Sequence, residues 1–116
     1  MKRGNTNNLF ENRYGMRFGD AVGLIKIYFA AHLCNFTLAQ EYIEKTGYWG
    51  LRYTYNNMMF FISCDRGYLE NEITINGQEF LISEFEILTE NIELASEKNI
   101  QFLLGVIKKL VEHKGI

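Results

Sequence analysis

Apolar positions along the chain follow two different periods. Val22, Ile25, Phe29, Leu33 and Phe36 recur at steps of three and four, the spacing of one helix face. Asp20 stands where an N-cap belongs, and the pattern predicts a helix running to about Asn35. Leu24, Ile27, Tyr28, Ala31 and Cys34 make most of the remaining circumference apolar, which predicts a helix buried between layers. Thr37, with Gln40 three residues on and Gly47 as a stop, predicts a second, shorter helix.

At Tyr48 the period becomes two. Trp49, Leu51, Tyr53 and Tyr55 alternate with Gly50, Arg52 and Thr54. Asn56-Asn57 offers a turn, and Met58 to Cys64 is a continuous apolar run, as expected of a central strand covered on both faces. Asp65-Arg66-Gly67 supplies the next turn, Tyr68 to Ile75 a third strand, Asn76-Gly77 the strongest hairpin signal, and Gln78 to Ile82 a short fourth strand. Ser83 and Glu86 have the spacing that opens a helical turn, although Phe85 and Ile87 would equally extend the sheet. Ser96 is expected to cap a last helix to about His113, with Ile100, Leu103, Leu104, Ile107 and Val111 inward and Gln101, Lys108 and Glu112 in water. Lys108, Lys109 and Lys114 suit the negative end of its dipole, and Gly115 stops it. The predicted class is α+β: about four antiparallel strands packed by two N-terminal helices and one C-terminal helix. A single domain over residues 1–116 is expected, with about the first twelve residues, polar and Asn-rich, loosely docked.

Composition narrows the function. Two cysteines without a signal-peptide pattern point to a reducing cytoplasm, and no apolar run approaches the length of a membrane span. No spacing of Cys or His suggests a metal, no glycine-rich loop suggests a phosphate or cofactor, and no Gly-x-Ser-x-Gly suggests a serine nucleophile. His32 and Cys34, two apart on the predicted helix, would point away from each other. Glu70 and Glu72 share one strand face about 7 Å apart, a spacing tolerable for paired-carboxylate catalysis, but glutamates are common on the wet face of a sheet and neither shows a sign of burial to tune its pKa, so catalysis is disfavoured. A non-enzymatic protein without cofactor is expected. Among the aromatics Tyr48, Trp49, Tyr53, Tyr55, Phe60 and Phe61, alternation sends Phe60 and Phe61 to opposite faces. Stacking on nucleic acid is disfavoured because only Arg52 lies among them and the following segment is anionic.

That segment, Asp65 to Glu97, is the strongest electrostatic feature. Nine acids stand against the single Arg66, a net −8, while the rest of the chain has eleven bases and five acids, a net +6. Alternation in Leu69-Glu70-Asn71-Glu72-Ile73 aims the carboxylates to one side. A solvated face that aids solubility is one reading. The other is a docking surface for a basic protein, built on Asp65, Glu70, Glu72, Glu79 and Glu84 with Tyr68 and Phe80 as apolar anchors.

In size, α+β order, the acidic stretch DRGYLENEITINGQEF and the closing helix NIQFLLGVIKKL, the chain resembles the small cytosolic immunity proteins of bacterial polymorphic and contact-dependent growth-inhibition toxins. The resemblance implies a compact, non-catalytic inhibitor of a cognate toxin domain, often a nuclease, whose active site is blocked or held off its substrate; from the charge and hydropathy above, no direct contact with nucleic acid or membrane is expected. A homo-oligomeric adaptor using an aromatic sheet edge is the alternative, and monomer and homodimer both remain open.

Overall fold

The computed structural model describes residues 16–44, 47–80 and 94–113. Helix α1 (Phe18–His32) leads into strands β1 (Thr37–Ile43), β2 (Trp49–Tyr55), β3 (Met58–Asp65), β4 (Tyr68–Ile75) and β5 (Gln78–Phe80), and helix α2 (Glu97–His113) follows. The five strands form one antiparallel sheet whose spatial order equals the chain order. The α+β class holds, with five strands and two helices among the described residues rather than four and three.

The turns explain the meander. Arg66-Gly67 and Asn76-Gly77 each have positive φ at both residues (52° and 91°, 55° and 81°), the twist that returns an antiparallel strand on its predecessor. Asn56 adopts a positive φ of 53° between β2 and β3. These expected turns set the β2–β3 and β3–β4 registers, which pair Tyr53 with Phe60 and Phe60 with Ile73. β5 is described as far as Phe80; Leu81 and Ile82 of the expected fourth strand lie outside the described residues, as do the alternatives for 83–87, the loosely docked start, and Lys114 and Gly115.

The expected second helix is instead β1. Thr37 to Ile43 contains good helix formers, but an isolated helix of this length is marginal in water. Pairing with β2 from Thr37↔Thr54 to Ile43↔Trp49 satisfies its backbone, with one irregularity between Leu38 and Gln40. The first helix also starts earlier and stops sooner than expected. Arg17, without a side-chain cap, precedes it, and Asp20 sits in the first turn, where its charge favours the dipole. The Leu33 amide closes on the Phe29 carbonyl at 2.9 Å, so Cys34 lies beyond the helix and not on it.

One core joins both helices to one face of the sheet. Ala21, Val22, Ile25 and Phe29 of α1 and Ile100, Leu103, Leu104, Ile107 and Val111 of α2 meet Trp49, Leu51, Tyr53, Phe60, Ile62 and Ile73. Phe29 stacks on Tyr53 at 3.7 Å between centroids and meets Phe36 edge-on at 5.9 Å, fastening α1 to β2. The Ser96 hydroxyl accepts the Asn99 amide at 3.2 Å, confirming that cap, and the Asn99 side chain donates to the Leu94 carbonyl at 2.8 Å. Lys108 pairs with Glu112 at 2.8 Å on the outer side of α2. The expectation that α1 is buried all round is not met: its Val22–Phe29 side is covered, while Ile27 is exposed. Among the described residues no helix is long and apolar enough to cross a membrane.

Candidate binding surface

Strand alternation divides the sheet into the helix-covered face and an outer face. Across the outer face run three cross-strand rows: Tyr42, Gly50, Ser63, Glu70; then Gln40, Arg52, Phe61, Glu72; then Thr37, Thr54, Met59, Thr74, Glu79. Charge therefore changes across the sheet, from an arginine among aromatics on β1–β3 to carboxylates on β4 and β5. Asp65 and Tyr68 pair at the end of β3 and β4.

Phe61 is the centre of this face and is only 8% exposed, although it lies outside the main core. The Arg52 guanidinium sits 4.5 Å from its ring centroid, and Tyr42 meets it nearly edge-on at 6.1 Å. Arg52 is held there by its Nε, which donates to Gln40 Oε1 at 2.7 Å, and by Nη1 3.3 Å from Met59 Sδ. Gly50 makes the close packing possible: a Cβ there would stand 2.9 Å from two carbons of the Phe61 ring and 3.3 Å from the Tyr48 hydroxyl. Burial raises the Tyr48 phenol above its ordinary pKa, against the opposing pull of a hydrogen bond with Ser63, and nearby Glu70 adds to the rise.

Glu70, Glu72, Glu79 and Tyr68 are exposed on the outer face, and Asp65 is half-buried there. Asp65 lies 3.5 Å from Arg66, which partly neutralises it. Among the described residues no ion pair ties Glu70, Glu72 or Glu79 to a lysine or arginine; elsewhere Lys26 pairs with Glu41 and Lys108 with Glu112. Two expected members are not in this group. Phe80 is on the helix-covered face, packed against the core, and Glu84 lies outside the described residues. Glu97, counted in the acidic segment, heads α2 on the far side of the sheet.

Alternation did separate Phe60 from Phe61, and the structure places them on opposite faces, both buried. The Tyr42–Phe61–Arg52 cluster leaves no mark in the sequence pattern, because the local signals from Thr37 to Gly47 are those of a helix and only the pairing with β2 brings Tyr42 onto this face. Among the described residues neither cysteine joins a group of donors that could hold a metal. Cys34 is exposed beyond α1, and Cys64 is buried under the helices, its thiol pushed up chiefly by burial. His32 packs its ring 4.5 Å from Tyr28. No family model, curated protein or solved structure matches the chain.

Proposed function

We propose that the protein is a non-enzymatic inhibitor of the immunity type, which binds a cognate basic toxin domain through the outer face of β4 and β5. The observation that carries this reading is the exposure of Glu70, Glu72 and Glu79 on one face, with no base among the described residues paired to them. Gathered carboxylates repel one another weakly in water, and a positive partner relieves that repulsion and is steered toward it. Tyr68, exposed beside them, supplies ring area that an incoming chain can desolvate. A nuclease domain fits this surface well, since its phosphate-binding groups would accept carboxylates in place of nucleic acid.

The test is co-expression with the C-terminal domain of the protein encoded just upstream, followed by stopped-flow association across a salt series. Rescue of growth, co-purification and an on-rate that falls steeply with salt are expected. Glu70→Lys with Glu72→Lys should slow association about tenfold or more at low salt and flatten the salt dependence. Association that is indifferent to both the reversal and the salt would remove the acidic face from the mechanism.

A further inference from the structure

We infer that a second copy of this chain adds its β1 to the free edge of β1, antiparallel, about a two-fold axis at Tyr42. The inference is independent of the proposed toxin contact, because β1 is at the opposite edge of the sheet from β5. Among the described residues β1 pairs only with β2, and Ala39 to Ile43 are all exposed. Among the described residues, two of the large hydrophobic side chains left exposed, Tyr42 (37%) and Ile43 (45%), stand on this edge strand. An edge of this kind is a template for another strand unless something blocks it.

The backbone selects the register. The Glu44 amide donates to the Tyr48 carbonyl at 2.9 Å, so in the regular ladder that follows, Tyr42 and Gln40 also turn their backbone groups toward β2. Glu41 and Ile43 therefore direct theirs outward. An antiparallel copy can use those groups if Glu41 stands opposite Ile43 of the second copy, and Ile43 opposite its Glu41. Four N–H···O bonds then form, and Tyr42 meets its own counterpart as a non-hydrogen-bonded pair with Cα atoms about 4.5 Å apart. The same register keeps faces matched: both Tyr42 rings lie on the outer face, and both α1 helices lie on one side of the joined sheet.

Charge is compatible with a second copy as the occupant. Glu41 is already paired with Lys26 at 3.0 Å and would face Ile43, not another acid. Gln40 would face Glu44. No like charges stand directly opposite, so neither a basic nor an acidic partner is called for. The irregularity between Leu38 and Gln40 ends the ladder on that side, which keeps the contact short. So short a join buries less than the roughly 1,200 Å² of a stable interface, and the dimer should be weak and concentration-dependent.

Sedimentation of the full chain from micromolar to millimolar concentration should show the mass rising toward two chains. Ile43→Pro deletes an outward amide that β2 does not use, so it should abolish the rise while keeping the thermal transition. Tyr42→Cys in a Cys34→Ser background should form an interchain disulfide on oxidation, since a directly opposed pair has suitable geometry. Gln40→Cys in the same background should crosslink at least tenfold less, because its counterpart would lie about 14 Å away along the strands. The crosslinking pair decides the matter if the proline variant does not fold. A mass of one chain up to millimolar concentration overturns the inference, as does a dimer unaffected by Ile43→Pro or one that crosslinks no better at 42 than at 40.

Discussion

Gly50→Ala isolates the packing on the outer face of the sheet. The added methyl would stand 2.9 Å from Cε1 and Cζ of Phe61, against an ordinary carbon contact of about 3.5–4.0 Å. The ring cannot simply swing aside, since Arg52 lies 4.5 Å over it and Tyr42 closes its edge. Forcing in one methyl of this kind costs about 1–3 kcal/mol. Against that, glycine in an ordinary backbone conformation is more costly to order than alanine by about 0.4–1 kcal/mol. The net expectation is a loss of about 1 kcal/mol. In a Phe61→Ala background the ring clash is gone and only the 3.3 Å approach to the Tyr48 hydroxyl opposes the entropic gain, so Gly50→Ala should then change stability by between zero and a gain of about 0.5 kcal/mol. Urea denaturation of the four proteins measures the cycle, with constant m-values as the condition for comparing midpoints. Equal effects of Gly50→Ala in both backgrounds would refute the reasoning, because the ring would then have no part in the cost.

Two further outcomes follow from the core side. Ser96→Ala removes the acceptor of the Asn99 amide and should cost about 0.5–2 kcal/mol, read from the same urea midpoints. Cys34 should react with a thiol reagent at once in the native protein, whereas Cys64 should react only when the chain opens. Because burial raises the Cys64 pKa, the folded chain holds that proton more tightly than the unfolded one. Its contribution is therefore whole below the ordinary thiol range and is lost as pH rises through the raised value. Cys64→Ala should reduce the alkaline loss of stability, measured by denaturation from neutral to alkaline pH; an unchanged pH slope would contradict this origin.

The hairpin region was legible because its instructions are local. Asn76-Gly77 can occupy positive φ at little cost and lies between alternating runs, so turn and register follow together. α2 was legible for a similar reason: the Ser96 cap and the inward spacing of Ile100, Leu103, Leu104, Ile107 and Val111 agree with each other. β1 was not. Leu38, Ala39, Gln40 and Glu41 suit a helix, and only the open edge of β2, distant in sequence by a loop, makes a strand of them. The candidate surface divides in the same way. Glu70 and Glu72 were placed on a common face by period two, whereas Phe80 turned inward because its partner across the hairpin is the core residue Ile73.

By itself, the order of residues determined the β2–β5 meander, the C-terminal helix and the concentration of negative charge in the segment from Asp65. Each depends on neighbours within a few positions, where turn chemistry and periodicity act directly. Only the tertiary structure decided that Thr37–Ile43 is an edge strand, that Tyr42, Arg52 and Phe61 meet on the outer face, and that Ile27 remains uncovered. Those outcomes depend on which surfaces are left to be satisfied after the sheet and helices have packed, a competition that no local segment encodes.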